Sequence, residues 1–332
     1  MNIIEKVQTG TKLVVGVGSA LVDILAHEEN KFLEQVGARK GGMTLVDKKF
    51  IEETLTRTAS EPVIVPGGSA CNTVVGVGRL GGRARFVGKS GQGGWGRLFQ
   101  QDLLKQNVEP ALFKSATPTG RVLSIITPDA QRSMFTYLGA SSELAAHELE
   151  DECFKGAAVV HIEGYLLFNP ELILGAVKAA RSADAVISLD LASFTVVEDA
   201  GKLLDDNITG FVDNVIANED EARAFTGFSD ENLALQALAE KADIAIIKIG
   251  HRGSLIAHDG RGVKIDALGD GSALDTTGAG DLWAAGFLYG LVNGYSIEKC
   301  GQIGSACGYE VCQTVGATIP DQGWDRIKKL LG

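Results

Sequence analysis

The sequence predicts an α/β protein with a doubly wound, mostly parallel sheet, flanked by helices and accompanied by a small β-sheet lid. After Leu144, short apolar runs alternate with helical stretches, which is the pattern of parallel strands joined by crossover helices. Residues 20–46 and 111–139 are instead rich in β-branched residues and turns, which favours strands without intervening helices. We therefore expect a discontinuous lid of residues 20–46 and 111–139, and a large domain of residues 1–19, 47–110 and 140–332.

The elements of the first half follow from short apolar runs and from helix-capping residues. Such runs predict strands at 13–17, 21–26, 43–46, 63–65 and 83–87. Helical spacing predicts helices at 30–36, 47–58, 70–80 and 96–106. Asp47 and Ser69 are the side chains that we expect to cap the second and third of these helices. The stretch 112–137 is predicted to be one hairpin with its turn at Pro128-Asp129.

The second half supplies the remaining strands of the predicted parallel sheet. Buried strands are expected at 158–162, 185–189, 214–217 and 244–248. Helices are predicted to start near Pro170, Ser193 and Asn218. Asp259-Gly260 predicts the turn of a late antiparallel pair formed by 254–257 and 262–265. Two helices, at about 279–293 and 296–313, are expected to close the chain.

The composition excludes several function classes. With 31 Lys and Arg against 42 Asp and Glu, the net charge is −11, which argues against a nucleic-acid-binding protein. The five Cys form no C-x-x-C pair and the five His lie in no metal-binding pattern, so we expect reduced thiols and no zinc site. The N-terminus lacks the apolar core of a signal peptide, and no apolar run approaches the ~18 residues of a membrane span. We therefore expect a cytoplasmic protein.

The segment Asp275-Thr-Thr-Gly-Ala-Gly-Asp281 carries the strongest chemical signal in the sequence. Its small residues Gly278, Ala279 and Gly280 open an apolar helix, so the first N–H groups of that helix are left accessible to an anion. Asp281 lies in the same turn, where a carboxylate can accept the proton of an attacking hydroxyl. From local physics alone, a phosphoryl-transfer site and a plain helix cap at Asp281 are about equally supported.

A second glycine-rich turn, Pro66-Gly-Gly-Ser-Ala-Cys-Asn-Thr73, precedes another helix. Gly67 and Gly68 permit a ligand to approach the backbone closely, and Ser69 and Asn72 offer donors and acceptors suited to sugar hydroxyls. Taken alone, the segment is explained somewhat better as a tight strand-to-helix turn without a ligand. Asp23, just past the first strand, can hold another pair of hydroxyls or serve as a turn residue.

Two further candidates follow the third and fourth strands of the second half. Asn218 and Glu221 can arrange Mg²⁺ and its waters, although acidic residues in a first helical turn are common for dipole reasons alone. Lys248, Gly250 and Gly253 lie at the carboxyl end of a parallel strand, where such sheets bind ligands. A nucleotide site and a mere hairpin turn are equally compatible with them.

Two apparent nucleotide-binding motifs fail on inspection. Gly16-Val-Gly18-Ser-Ala-Leu21 lacks the third Gly of a dinucleotide fingerprint, which argues against a nicotinamide oxidoreductase. Gly88-Lys89-Ser90 ends like a P-loop, but Arg83 stands where the opening Gly is required.

Together these segments resemble the PfkB (ribokinase-like) carbohydrate kinase family. The segment GGSACNTVVGVGRLGG (67–82) is similar to its N-terminal signature, and DTTGAGD (275–281) matches its C-terminal signature without departure. Within the family, the sequence most resembles the adenosine-kinase branch, through GSALVDIL (18–25), PTGRVLSIITPDAQRSM (118–134) and NEDEA (218–222).

The resemblance implies an ATP- and Mg²⁺-dependent kinase of ribokinase-like fold. It implies Asp281 as the base and Gly278, Ala279 and Gly280 as an anion hole, with Arg132 reaching the phosphates. The residues that it implies for the acceptor are Asp23, Gly67, Gly68, Ser69, Asn72, Glu163 and Tyr165. Those that it implies for ATP and Mg²⁺ are Asn218, Glu221, Lys248, Gly250, Gly253 and Thr276, and a monovalent cation, K⁺, would be bound by Asp275 and Thr277.

The acceptor is expected to be adenosine or a related nucleoside, phosphorylated at its primary 5′-hydroxyl. Glu163 is a departure, because ribokinases carry Glu at that position and adenosine kinases a small residue; it favours a sugar kinase instead. Tyr165 would stack on a base or pack in the core. A nucleoside- or sugar-binding sensor without activity is the alternative of a different class. The resemblance implies a monomer or a lid-mediated homodimer, because family members occur in both forms. The apolar lid residues must be covered by ligand, by a partner chain or by the main domain; they are Val122, Ile125, Phe135 and Tyr137.

Overall fold

The strands and helices were located in a computed structural model that describes residues 3–8, 11–37, 40, 42–129, 132–205, 209–269 and 271–331. The strands are β1 (Leu13–Val17), β2 (Leu21–His27), β3 (Met43–Leu45), β4 (Val63–Gly67), β5 (Arg83–Gly91), β6 (Val108–Ser115), β7 (Thr119–Ile126), β8 (Arg132–Gly139), β9 (Ala157–Glu163), β10 (Val186–Asp190), β11 (Asn214–Asn218), β12 (Ile244–Lys248), β13 (Ser254–His258) and β14 (Arg261–Ile265). The helices are α1 (Ile3–Gln8), α2 (Asn30–Gln35), α3 (Lys48–Leu55), α4 (Ser69–Arg79), α5 (Gly94–Lys105), α6 (Asp151–Phe154), α7 (Pro170–Ser182), α8 (Phe194–Leu203), α9 (Glu219–Thr226), α10 (Glu231–Ala239), α11 (Ala279–Val292), α12 (Ile297–Cys312) and α13 (Asp321–Lys329).

A nine-stranded sheet forms the large layer, in the order β14-β13-β12-β11-β10-β9-β1-β5-β6. All neighbours from β6 to β12 run parallel, whereas β13 is antiparallel to both of its neighbours, β12 and β14. The predicted turn at Asp259-Gly260 joins the last two strands, and both of its residues have positive φ, as a tight hairpin turn requires. The doubly wound, mostly parallel α/β fold is therefore confirmed.

The two faces of this sheet are covered by different helices. One core cluster joins the sheet to helices α1, α4, α5, α11, α12 and α13, and the other joins it to helices α6–α10. Helix α13 was not predicted, because its nine residues are mostly polar and only Trp324 and Ile327 are large apolar side chains that reach the core. Among the described residues, no helix combines the length and the apolarity needed to cross a bilayer.

A separate five-stranded sheet has the order β3-β8-β7-β2-β4. In it, β2 pairs with β7 and β3 with β8, so stretches far apart in sequence do form one sheet. Two segments differ from the prediction. Val108–Ser115 pairs along β5 in the large sheet, because it follows crossover helix α5, so residues 111–115 do not belong to the lid. The predicted hairpin with Pro128-Asp129 between its strands is formed by β7 and β8, and it starts at Thr119 rather than at residue 112. Val63–Gly67 joins the small sheet by pairing antiparallel with β2.

The apolar side of the lid is largely covered by the same chain. Ile125 and Phe135 are buried in a cluster with Phe32, Leu33 and Ile51 from helices α2 and α3. Tyr137 packs against the same cluster, whereas Val122 lines the cleft between the two sheets. These four residues therefore need no partner chain to cover them.

Candidate active site

A cleft of about 1150 Å³ separates the small sheet from the carboxyl ends of the large-sheet strands. It is lined by all the candidate site residues except Gly67 and Asp275. The structure thus brings together segments that are up to 258 positions apart in sequence, from Asp23 to Asp281. This is the crevice in which open α/β sheets bind ligands.

Asp281 lies in the first turn of α11 at the centre of the cleft. The N-cap residue is Gly278, in the left-handed region at φ 71°, and no side chain caps the helix. The Asp281 carboxylate instead accepts hydrogen bonds from Ser69 Oγ and Asn72 Nδ2, each at 2.8 Å. Burial raises the pKa of Asp281, an effect that the Asn72 bond partly offsets. Asp281 therefore does not cap α11 through its side chain, contrary to the alternative interpretation of the sequence.

The turn before α4 is shaped by glycines. Gly68 is the N-cap of α4 at φ 100°, and a Cβ there would overlap the carbonyl oxygen of Ser19. A Cβ on Gly67 would overlap the carboxylate of Asp23. Ser69 was expected to be the cap, but it is the first helical residue and directs its hydroxyl to Asp281 instead. Glycines at 67 and 68 therefore let Asp23 and α4 meet at the cleft.

Asp23 and Arg132 lie on the lid side of the cleft. Burial raises the pKa of Asp23 to about 6, against the opposing effect of the Arg132 guanidinium. Arg132 is the first residue of β8, and its guanidinium makes no hydrogen bond or ion pair within the described part of the chain. Its guanidinium is therefore available to an anion in the cleft.

Glu163 ends strand β9 and is buried, with 1% of its surface exposed. Its two carboxylate oxygens accept hydrogen bonds from the backbone N–H groups of Ser19, at 2.8 Å, and Ala70, at 3.1 Å. A Cβ on Gly18 would overlap this carboxylate. Gly18 is therefore explained by the packing of Glu163 and not by a dinucleotide fingerprint. Burial raises the pKa of Glu163 to about 7. Glu163 thus ties the β1–β2 turn to the start of α4.

Asn218 and Glu221 form a reciprocal capping box at the start of α9. Glu221 N–H donates to Asn218 Oδ1 at 2.8 Å, while Asn218 N–H and Nδ2 donate to the Glu221 carboxylate at 2.8 and 2.7 Å. Burial raises the pKa of Glu221. No group of three or more His, Cys, Asp or Glu suited to a metal occurs in the described residues. These residues fit an Mg²⁺ ion held through its water ligands rather than one enclosed by protein.

Lys248 ends strand β12 and forms a 2.8 Å ion pair with Asp190, the last residue of β10. Burial alone would lower the pKa of Lys248, but the carboxylates of Asp190 and Glu221 outweigh it and raise that pKa. Beyond Lys248, Gly250 and Gly253 both have positive φ and bracket a short 3₁₀ turn. A Cβ on Gly253 would overlap the carbonyl of Ile265, so this turn requires glycine there.

The loop before α11 is fixed by Asp275. Its Oδ1 accepts from the N–H of Thr277 at 2.9 Å and from the Thr277 hydroxyl at 2.7 Å, and its Oδ2 accepts from Gly316 N–H at 2.8 Å. Thr276 lines the cleft beside it. These bonds shape the segment that leads into Gly278, and the K⁺ site at Asp275 and Thr277 stays a prediction.

Two contributors to the site were not singled out from the sequence. Asp190 directly follows the strand predicted at 185–189 and is the last residue of β10, at the carboxyl edge of the sheet; that position was the signal that would have identified it. Ser19 contributes a backbone N–H group, for which its residue type carries no signal. Tyr165 lines the cleft with 38% of its surface exposed, so it is not a core residue.

Comparison with known proteins identifies the family. The model of the pfkB family of carbohydrate kinases matches residues 36–323. The chain belongs to this family. The predicted resemblance is therefore confirmed, and with it a kinase whose family uses ATP and usually Mg²⁺.

This pfkB kinase is similar to relatives with different acceptors in their names. An adenosine kinase structure from Sinorhizobium meliloti is 33% identical, with a TM-score of 0.86 and coverage of 96% of this chain and 99% of that chain. A probable sugar kinase from Rhizobium etli is also 33% identical, with a TM-score of 0.88 and coverage of 96% and 98%. A nucleoside kinase from Methanocaldococcus jannaschii is 26% identical and matches 80% of this chain and 85% of its own length.

Proposed function

We propose that this pfkB kinase transfers the γ-phosphate of ATP to the 5′-hydroxyl of adenosine or a related nucleoside. The observation that carries the proposal is the Asp281 carboxylate, held by Ser69 and Asn72 at the start of α11. The carboxylate lies in the same turn as Gly278, Ala279 and Gly280, whose backbone we propose as the anion site. Base and anion site are the two groups that phosphoryl transfer requires.

The reaction is an in-line displacement at phosphorus. The acceptor oxygen forms a bond to the γ-phosphorus, its proton passes to Asp281, and the bond from phosphorus to the bridging oxygen breaks, leaving its electron pair on ADP. The backbone at 278–280 and Arg132 stabilise the developing negative charge. Asn218 and Glu221 would hold Mg²⁺ through water, and the ion would neutralise charge on the phosphates. Thr276, Gly250 and Gly253 complete the ATP side of the cleft.

The nucleoside assignment is supported by the way in which Glu163 is used. Both of its oxygens already accept backbone N–H groups of Ser19 and Ala70, so its presence is explained without a sugar ligand. Asp23 and Asn72 remain in the cleft for ribose hydroxyls, and Tyr165 offers an exposed aromatic face for a base. The similarity to the Sinorhizobium adenosine kinase favours the same acceptor class.

A sugar kinase is the second candidate. The Rhizobium probable sugar kinase is as similar to this chain as the adenosine kinase is, and a 5-dehydro-2-deoxygluconokinase from Geobacillus thermodenitrificans is 27% identical over 93% of the chain. Each Glu163 oxygen also keeps a second lone pair that can accept a sugar hydroxyl.

The test is a coupled assay of ADP formation with adenosine, inosine, cytidine, ribose, fructose and 5-dehydro-2-deoxygluconate. We expect kcat/KM to be at least about 100-fold higher for adenosine than for the sugars. A site built to hydrogen-bond one substrate discriminates by at least that factor against molecules that leave its polar groups unpaired. A sugar as best substrate would replace the proposal with the second candidate. Tight ligand binding without ADP formation would instead indicate a sensor that has lost catalysis.

A further inference from the structure

The Lys248–Asp190 ion pair is buried at the phosphate end of the cleft, with 15% and 6% of the two side chains exposed. The two residues end β12 and β10, which are separated by β11. Asp190 is itself held in place, because its Oδ1 accepts from the N–H of Ala192 at 2.9 Å. Its Oδ2 is thereby directed to Lys248, at 2.8 Å.

The position of the ammonium is set by the start of α11. Lys248 Nζ lies 2.9 Å from the point that a Cβ on Gly280 would occupy. A Cβ at 280 would therefore push the ammonium away from the first turn of the helix, whereas glycine leaves it there. The charge of Lys248 is in this way added to the N–H groups that form the proposed anion site.

A lysine side chain has four rotatable bonds, and fixing them costs conformational entropy. A buried carboxylate at hydrogen-bonding distance selects one rotamer before any substrate binds. Electrostatic stabilisation is most effective when the charge is already in place and does not reorganise during the reaction.

We propose that Asp190 is a positioning residue for phosphoryl transfer, which fixes the Lys248 ammonium beside Gly280 so that it faces the transferring phosphoryl group. The proposal rests on the kinase function proposed above. The proposed role of the Lys248–Asp190 pair differs from that of a purely structural ion pair in one respect. The pair would contribute to the recognition of the γ-phosphate, and not only to the stability of the fold.

The test uses the full-length protein and the variants Asp190→Asn, Lys248→Met and Asp190→Asn with Lys248→Met. Asparagine keeps the shape of Asp190 and an oxygen for Ala192 N–H while removing the charge. We expect Asp190→Asn to lower kcat by about 10- to 100-fold and Lys248→Met by about 100-fold or more, as for the loss of one preorganised charge. The KM of the acceptor should change by less than about 3-fold, and the double variant should resemble Lys248→Met because the residues act as one unit.

A second readout needs no turnover. Calorimetric titration with AMP-PNP and with ADP measures how much affinity depends on the terminal phosphate. In both single variants we expect the AMP-PNP affinity to fall by about 10-fold relative to the ADP affinity, as for the loss of one charge-assisted contact. Because this ratio is measured without an acceptor, it tests the inference even if the acceptor assignment or catalysis itself proves wrong.

The matched control is a second partly buried ion pair, Lys89–Glu148, with an N–O distance of 2.8 Å and exposures of 13% and 19%. Neither residue lines the cleft. Lys89→Met and Glu148→Gln should lower thermal stability while leaving kcat and the AMP-PNP to ADP affinity ratio unchanged. The inference is overturned if Asp190→Asn retains wild-type kcat and ratio, or if the control pair alters them equally.

Discussion

Replacing Asp281 by asparagine separates its chemistry from its place in the fold. Asparagine can still accept from Asn72 through Oδ1, and its Nδ2 can donate to Ser69 Oγ, which is able to reverse its role. The bond from the Thr73 hydroxyl goes to the backbone oxygen of residue 281 and is unaffected. We therefore expect the free energy of unfolding to change by no more than about 1 kcal/mol, because no buried group loses its partner.

The catalytic loss should be far larger. Removing a general base typically lowers the rate by about 10²- to 10⁴-fold, which corresponds to roughly 3–5 kcal/mol in the activation barrier. We expect kcat to fall by this amount with the acceptor KM nearly unchanged. The assay is ADP formation at saturating ATP, combined with urea unfolding of each variant. Asp151→Asn, an exposed aspartate in α6, is the matched control and should behave as wild type. A kcat within about 10-fold of wild type in Asp281→Asn would refute the assignment of the base.

Two further predictions concern stability. Since burial raises the folded-state pKa of Glu163 from 4.5 to about 7, the folded protein binds this proton more tightly than the unfolded chain. The stabilisation is complete below pH ~4.5 and is lost as the pH rises through ~7, by about 3 kcal/mol in total. Between pH 5 and 8, the free energy of urea unfolding should therefore fall less steeply in Glu163→Gln than in the wild type. Identical slopes for the two proteins would contradict this linkage. Gly278→Ala should lower the unfolding free energy by about 2 kcal/mol, because a left-handed alanine is strained and its Cβ would approach that of Ala317 to 2.5 Å. Its kcat should also fall, and wild-type values for both quantities would show that the loop adapts without cost.

The large sheet was predictable because its physics is local. Parallel strands buried on both faces give continuous apolar runs, and the intervening helices carry their own capping residues, as Asn218 does for α9 by accepting from Glu221 N–H. The two misplaced strands show where this reasoning ends. Val63–Gly67 and Val108–Ser115 are both strand-like in sequence, and only their pairing partners decide to which sheet each belongs. Strand pairing depends on contacts between segments that are far apart in sequence, and the local residue pattern does not specify those contacts.

The site was predictable where a residue needed a particular backbone or a particular charge. Gly68 and Gly278 were identified because glycines before a helix let a ligand approach its backbone, and Asp281 because a carboxylate in such a turn can accept a proton. Both glycines have positive φ in the structure. The use of Glu163 could not be foreseen, since its partners are backbone N–H groups in two distant turns. Side chain to backbone contacts of this kind depend on the folded positions of both segments, whatever their residue types.

The assignment of strands to the two sheets has a consequence for protein engineering. The chain crosses between the sheets at four places: residues 18–20, Gly68, residues 116–118 and the junction after Gly139. Exchanging the lid for that of a relative therefore requires two grafted segments and four splice points. Two of these points are the turns that Glu163 ties together beside Asp281. In a chimera, two of the splice points would therefore lie in turns beside Asp281 and would themselves change the cleft. Substrate specificity would then have to be transferred by exchanging the lid and the large domain together.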